Sequence, residues 1–327
     1  LENKTLAIIE TRDSYKRDKT WSFWKITDHN FEDCVIKSWN NFSVNSKIGH
    51  YEVKNNDYPY QTIDSGLFYK KVLNQIQQNK NIKFFKNTDN LDLKSSIVFN
   101  SIPPKSNNES NLWQHFKGIE IKTEKNIFDD KIFNLMDFDC DQRKSVHFFY
   151  TLPFAKNKAL VETTWLSKLN DNSLSDYDKQ LENYIHNTLK IKNYNIEYKE
   201  QGAIPLFFPS TKKNNNIINI GSAGGMTRLS TGYTFLNIQS HSKYIVNQIE
   251  NIKNTKIYNF GRKYKLLDNI FLKVLKRYPE KMPSIFLRMF EAPSSAIIKF
   301  LSNKSNFLDD LRIILKMPKW LFIKNIF

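Results

Sequence analysis

The 327-residue chain is poor in cysteine, histidine and glycine, and it contains no long uncharged apolar run. Its two cysteines, Cys34 and Cys140, form no CxxC pair and lie near no histidine pair, which argues against a disulfide scaffold and against a zinc site. We therefore expect no metal and a reducing, cytoplasmic compartment. No segment approaches the roughly 18 apolar residues that span a bilayer, and no signal-like segment opens the chain. The sequence thus predicts neither a transmembrane nor a secreted protein.

Positive charge and aromatic residues are abundant. The chain has 49 Lys and Arg against 33 Asp and Glu, a formal net charge of +16, and 14% aromatic residues. Such a balance suits nucleic acid or an anionic membrane surface as a partner. The aromatic residues lie mostly within apolar runs, which favours a hydrophobic core or an apolar, lipid-facing cavity over a nucleic-acid-binding surface. We expect no nucleic-acid partner.

The basic residues are concentrated near the C-terminus. Residues 262–327 contain 14 Lys and Arg and 5 Asp and Glu, interleaved with short apolar clusters. Basic amphipathic helices of this kind lie on anionic bilayers. The sequence predicts a cytoplasmic protein that associates peripherally with anionic membrane; a solvated helical cap with a packed inner face is the alternative.

The order of apolar segments predicts a mixed α/β fold. Residues 6–9 form an apolar strand that ends in Glu10, and Asp64 or Ser65 caps a following helix. Between 101 and 202 the runs have the length of antiparallel strands, interrupted by a helix with Ser175 as its expected N-cap. From residue 261 onward the pattern is helical. Residues 1–4 read as the end of a helix that runs straight into the strand at residue 6, whereas an opening strand normally follows a loop. We therefore expect that a strand and a helix precede these residues in a longer chain.

A glycine-rich turn follows the apolar strand at 217–220. Residues 221–225 read Gly-Ser-Ala-Gly-Gly, and a helix is predicted from residue 235. Free backbone N–H groups at such a helix entry bind anions or the electron-rich edge of a reduced flavin. An ordinary tight strand-to-helix turn would have the same composition.

Three acids are candidates for chemistry. Glu162 lies within an apolar strand, where burial would raise its pKa and suit it to donate a proton, although an outward-facing glutamate fits the same pattern. Glu200 enters a second apolar segment, so that one acid could give a proton while the other steadies a cation or takes a proton back. Glu10, at the tip of its strand, is placed where dinucleotide folds hold a ribose hydroxyl.

Seven short motifs occur in the order seen in bacterial lycopene β-cyclases, and the chain resembles that family over nearly its whole length. The motifs are residues 21–23 (Trp-Ser-Phe), 113–118 (Trp-Gln-His-Phe-Lys-Gly), 136–138 (Met-Asp-Phe), 149–153 (Phe-Tyr-Thr-Leu-Pro), 160–164 (Leu-Val-Glu-Thr-Thr), 200–205 (Glu-Gln-Gly-Ala-Ile-Pro) and 221–226 with 231–233 (Gly-Ser-Ala-Gly-Gly-Met and Thr-Gly-Tyr).

The resemblance implies a Rossmann-like FAD/NAD(P)-binding domain, an antiparallel-sheet substrate domain and a helical C-terminal region. The corresponding ranges are 1–25, 62–103 and 203–250 for the flavin domain, 26–61 and 104–202 for the substrate domain, and 251–327 for the helical region. It further implies cyclisation of the ends of lycopene to β-ionone rings without net redox change, with reduced FAD and with NAD(P)H to reduce the flavin. A flavin monooxygenase or a prenyl reductase acting on an apolar isoprenoid is the alternative.

Carried over by position, the resemblance implies that Glu162 and Glu200 are catalytic and that Glu10 holds the adenosine ribose. Thr163 stands where the family often has a second acid. The family's N-terminal GxGxxG loop has no counterpart in these residues. The remaining implied cofactor-binding residues are Gly221, Ser222, Ala223, Gly224, Gly225, Met226, Thr231, Gly232 and Tyr233.

Overall fold

The computed structural model of the chain describes residues 4–89, 91–102, 111–169, 173–209, 216–254, 258 and 261–326. The predicted start at residues 1–3 and the predicted domain boundary at 103–104 lie outside them. Within the described residues, strands β1 to β14 are, in chain order, Leu6–Ile9, Thr20–Trp24, Val35–Trp39, Asn41–Ser46, Gly49–Lys54, Tyr60–Asp64, Ile82–Phe85, Val98–Asn100, Trp113–Lys122, Ile132–Asp137, Val146–Ala155, Lys158–Ser167, Asn195–Pro205 and Ile217–Asn219.

The helices connect these strands and then form the C-terminal part of the chain. Within the described residues, helices α1 to α8 are Ser65–Gln77, Tyr177–Asn183, Phe235–Asn247, Arg262–Arg277, Met282–Phe290, Ser294–Leu301, Phe307–Lys316 and Lys319–Ile323. Of the two predicted caps, Asp64 and Ser65, it is Asp64 that caps α1, since its carboxylate accepts from the N–H groups of Gly66 and Leu67. Ser175 is not the N-cap of α2, because residues 174–176 form a 3-10 turn and the helix begins at Tyr177.

A seven-stranded sheet organises the fold, in the order β13-β9-β12-β11-β10-β4-β5. All its pairs are antiparallel except β10 with β4. Its long central strands β9, β11 and β12 have both faces covered, and β12 is therefore nearly continuously buried. Helix α2 covers one face, while α5 packs near β4 and β5. The opposite, even-numbered face of β9, β11, β12 and β13 borders the cavity described below.

Smaller sheets make up the rest of the β-structure. Strands β2, β6 and β3 form a three-stranded antiparallel sheet, whereas β1 pairs with β7 and β14 pairs with β8 in parallel. The predicted boundaries at 25–26 and 61–62 lie beside and inside this three-stranded sheet, because β6 continues through residue 61. The mixed α/β class and the helical C-terminal region are confirmed. The Rossmann-like arrangement and the division into domains stay predictions.

The C-terminal helices complete the main core with α5 and α6, whose inward residues include Phe286, Phe290 and Ile297. None of the helices in the described ranges combines the length and the apolar character that crossing a membrane requires.

A buried ion pair connects the C-terminal helices to the segment that follows the glycine-rich turn. The Arg228 guanidinium donates from Nε to Asp268 Oδ1 at 2.6 Å and from Nη1 to the Phe300 carbonyl at 2.9 Å. Asp268 also accepts from the Leu229 backbone N–H at 3.1 Å and from the Ser230 hydroxyl at 2.7 Å. Both charged side chains are almost fully buried, so each depends on the other for compensation.

Replacing Asp268 tests this dependence. Asp268→Ala leaves the Arg228 charge buried without its partner, so we expect the free energy of unfolding to fall by about 3–5 kcal/mol in urea titrations. Glu250→Ala, which removes the exposed Lys4–Glu250 pair, is the matched control and should change little. Equal effects of the two substitutions would contradict the assigned importance of the buried pair.

Candidate active site

Two glutamates flank one glycine on the same face of the main sheet. In the ladder, Gly118 of β9 lies opposite Glu162 of β12 on one side and opposite Glu200 of β13 on the other. Strands are about 4.8 Å apart, so the two glutamate backbones are separated by roughly 9–10 Å. A Cβ at position 118 would lie 3.3 Å from Glu200 Cγ and 3.6 Å from Glu162 Cβ. The glycine therefore places no side chain of its own between the two acids, and Leu160 Cδ1 approaches the same point to 3.1 Å.

Glu162 is buried with little to stabilise its charged form. Its side chain is 7% exposed, and its carboxyl group accepts a 2.6 Å hydrogen bond from the Thr164 hydroxyl. Burial, together with the negative charge of Glu200, raises the pKa of Glu162 to about 8. At neutral pH the group is therefore mostly protonated and can act as an acid.

Glu200 has more polar surroundings. Tyr198 donates its phenol proton to Glu200 Oε2 at 3.0 Å, and Thr20 also hydrogen-bonds the carboxylate. Burial raises the pKa of Glu200, while these bonds and the nearby cations Lys19 and Arg17 oppose the rise. Of the two predicted catalytic acids, only Glu162 lines the large cavity.

The cavity has a volume of about 580 Å³ and a mostly apolar wall that is rich in aromatic residues. It lies between the sheet, the segment 230–239 and helices α5 and α6. Tyr150 faces Glu162 across the β11–β12 ladder and donates a hydrogen bond to the Tyr60 phenol at 2.9 Å. The Trp24 indole donates to the Tyr233 phenol at 3.1 Å. A cavity of this size and lining suits an apolar, unsaturated ligand.

The opposite face of the same strands has its own buried polar groups, which do not reach the cavity. His147 stacks on Trp165 with ring centroids 4.0 Å apart and hydrogen-bonds the Thr163 hydroxyl. Burial lowers the pKa of His147 to about 4, so the ring is neutral. His115, from the motif at 113–118, hydrogen-bonds Ser167 at 2.7 Å on this face, whereas its neighbours Gln114 and Phe116 line the cavity.

The glycine-rich turn lies close to the cavity, before α3. Gly221 and Gly225 have φ values of +59° and +71°, a left-handed conformation that glycine adopts without steric cost. A Cβ at Gly224 would lie 2.5 Å from the Asn219 carbonyl oxygen, so the turn needs glycine there. Among the predicted cofactor-binding residues, the cavity is lined by Ser222, Thr231, Gly232 and Tyr233, whereas Gly221, Ala223, Gly224, Gly225 and Met226 do not line it.

Glu10 lies at the tip of β1, away from the cavity lining. Its carboxylate accepts from the backbone N–H, Nε and Nη2 of Arg12 at 2.8–3.0 Å, and these bonds lower the pKa of Glu10. The structure thus pairs the predicted ribose ligand with an arginine two residues later.

Several cavity residues were not among the predicted site residues. Trp24, Tyr60 and Tyr150 come from three separate strands and have no common sequence signal. Gly118, by contrast, had a sequence signal, because an isolated glycine inside a strand marks a close approach by neighbouring groups.

Comparison with known proteins identifies the family. A model for the family described as lycopene cyclase protein matches residues 3–324. The chain belongs to the lycopene cyclase family. A search of curated proteins gave no match.

Solved structures share the fold of this lycopene cyclase family chain at low sequence identity. A geranylgeranyl bacteriochlorophyll reductase-like protein from Thermoplasma acidophilum is 12% identical, with a TM-score of 0.63 over 98% of this chain and 92% of that one. A flavin-dependent brominase is 9% identical, with a TM-score of 0.60 over 91% and 87%. The p-nitrophenol 4-monooxygenase of Pseudomonas putida is 9% identical, with a TM-score of 0.53 over 99% and 92%.

The raised pKa of Glu162 has a consequence for stability. A carboxyl that titrates at about 8 in the folded protein and near 4.5 when exposed keeps a proton on folding, so stability falls as pH rises between these values. Glu162→Gln has nothing to titrate. We expect urea midpoints of this variant to exceed those of the parent at pH 8 and to match them near pH 4.5.

Glu197→Gln, at the exposed end of β13, serves as the control. Hydrogen bonding to Lys158 lowers the pKa of Glu197, so this variant should keep the parent's fall in stability between pH 4.5 and 8. If Glu162→Gln loses stability with pH as steeply as the parent does, Glu162 does not hold the proton.

Proposed function

We propose that this member of the lycopene cyclase family is a lycopene β-cyclase, which closes the ends of lycopene to β-ionone rings without net redox change. The observation that supports this best is a buried carboxylic acid, protonated at neutral pH, that faces an aromatic cavity of about 580 Å³. Ring closure needs a proton delivered to a terminal alkene, a cation held while a second double bond attacks, and a proton removed.

Glu162 has the properties of the proton donor. When Glu162 transfers its proton to the alkene, it becomes a carboxylate in a site where water is largely excluded. The negative charge of that carboxylate then lies beside the cation that the proton transfer created. The faces of Trp24, Tyr60 and Tyr150 add attraction for a positive charge through their ring electrons. When the ring carbon loses its proton, the Glu162 carboxylate can accept it, which restores the acid.

Glu200 acts beside this donor. Its charge favours the protonated form of Glu162 across the gap at Gly118. It remains our second catalytic candidate, as the group that steadies the cation electrostatically or takes back a proton.

We further propose FAD as the cofactor, in its reduced form, with NAD(P)H as the reductant. The residues fit a flavin: Ser222 of the glycine-rich turn and the Thr231–Tyr233 stretch line the cavity ahead of α3, and Glu10 directly follows the parallel strand β1. Reduced flavin would supply electron density near the developing cation. The fold similarity to a geranylgeranyl reductase-like protein and to flavin-dependent enzymes is consistent with this assignment.

A redox enzyme on the same scaffold is the alternative, either a flavin monooxygenase or a prenyl reductase. Its turnover would consume NAD(P)H in proportion to product, whereas a cyclase forms many rings for each NAD(P)H oxidised. Measuring rings formed against NAD(P)H consumed separates the two. One NAD(P)H per product molecule would overturn the cyclase proposal.

Removing the acid from Glu162 should abolish most activity. Glu162→Gln keeps the side-chain shape and its hydrogen-bonding capacity, so we expect cyclisation in lycopene-accumulating cells to fall by about 10²- to 10⁴-fold, the usual contribution of a general acid. Pigment chromatography measures the product, and a melting curve confirms folding. Glu197→Gln should retain activity. Wild-type cyclisation by Glu162→Gln would refute the assignment.

The influence of Glu200 on Glu162 should appear in the pH profile. Glu200→Gln removes the negative charge that helps to raise the pKa of Glu162, so the fall of activity at high pH should move to lower pH. Glu197→Gln should leave the pH at which activity falls unchanged. An unshifted limb in Glu200→Gln would show that the two acids are not coupled.

A further inference from the structure

Helix α7 buries its acidic residues and exposes most of its apolar residues, the reverse of an ordinary surface helix. Its acids Asp309 and Asp310 point inward and are buried, while Leu308 and Leu315 point outward with exposures of 59% and 58%. A soluble surface helix normally buries its apolar stripe and exposes its charges. The outward apolar face also includes Phe307, Leu311 and Ile314, and α8 adds Trp320, which is 76% exposed.

Specific contacts fix this orientation. Asn306 and Asp309 form a reciprocal capping box at the start of α7. Asp310 accepts from Lys263 of α4 at 2.7 Å and from the Ser305 hydroxyl at 2.6 Å. Rotating the helix to hide its apolar face would break the Asp310 contacts, so the apolar face is held outward.

The charges around this face have one sign. Between residues 302 and 326 both acids are buried in α7, so every exposed charged side chain there is cationic. Lys316 also lies 3.6 Å from Glu291, which partly neutralises it. These exposed cations are Lys304, Arg312, Lys316, Lys319 and Lys324.

We propose that the face formed by the outward residues of α7 and α8 inserts into the surface of an anionic lipid bilayer, with the surrounding cations on the lipid headgroups. Apolar side chains flanked by these five cations complement acyl chains beneath anionic headgroups. A tryptophan at the border has the amphipathic ring that favours the membrane interface. A second copy of this chain would bring the same cations face to face, and their repulsion disfavours it.

The helix that carries this face packs against two helices that line the cavity. Helix α7 packs against α5 and α6, whose residues Met289 and Leu301 line the cavity wall. Resting on the proposed function, this position would bring the cavity to the membrane in which an apolar polyene dissolves. Binding to the bilayer itself does not depend on that function.

Flotation with vesicles that contain no lycopene tests the binding alone. We expect the protein to float with vesicles of phosphatidylcholine and phosphatidylglycerol, and less with phosphatidylcholine alone or at high salt. Leu308→Gln with Leu315→Gln should weaken binding at least about tenfold, and so should Lys319→Glu with Lys324→Glu. Val246→Gln and Lys70→Glu, at exposed positions on α3 and α1, are the matched controls.

Trp320 gives a direct readout of depth. Vesicles with brominated acyl chains should quench the fluorescence of Trp320. In Trp320→Phe, adding these vesicles should no longer decrease the tryptophan fluorescence of the protein. Binding that equals the controls in both double variants would overturn the proposal, as would unquenched Trp320 in the bound protein. Sedimentation that shows a dimer dissociated by Leu308→Gln and Leu315→Gln, without vesicle binding, would also overturn it and assign the face to a second copy. Vesicle binding without cyclisation would refute only the proposed function.

Discussion

The candidate site depends on keeping a carboxyl group protonated inside the protein. Glu162 achieves this because it is buried on the sheet with a hydroxyl, not a cation, as its closest partner. Glu120, on the same face, shows the opposite solution: Arg17 and Lys158 contact it at 2.8 and 2.7 Å, so its charge is compensated. The two glutamates therefore differ in protonation. Glu120 stays ionised because two cations contact it, whereas Glu162 is protonated because no cation does.

The sheet register is what makes this difference possible. Gly118 is the register partner of both Glu162 and Glu200, so the two acids share a face and the residue between them contributes no side chain. The phenols of Tyr60 and Tyr150 hydrogen-bond each other, which allows polar groups to line an otherwise apolar cavity without an unpaired donor between them. The site is therefore built from pairing across strands and not from any continuous sequence motif.

Much of the fold could be predicted from the sequence because local signals were strong. The strand before Glu10, the Asp64 cap of α1 and the helices after residue 261 followed from periodicity and capping alone. The start of α2 was misjudged because a 3-10 turn precedes it, and Asp176 pairs with Arg143 instead of capping the helix. In the site, the burial of Glu162 was open until the register placed it on the cavity face. The aromatic residues of the cavity wall could not be predicted from the sequence, since Tyr60 and Tyr150 meet only through long-range strand pairing.

The alternation of side chains along β9, β11, β12 and β13 also determines how this protein can be altered. Even-numbered positions such as 116, 148, 150 and 204 line the cavity, while odd positions such as 149 and 161 pack against α2. A library restricted to the even positions that line the cavity would change its shape and leave the odd-numbered face that packs on α2 intact. A single-residue deletion within one of these strands would exchange the two faces of the strand beyond it, moving its core residues into the cavity and its cavity residues into the core. Within these strands, substitution and not insertion or deletion is therefore the change that can reshape the cavity without disturbing the core.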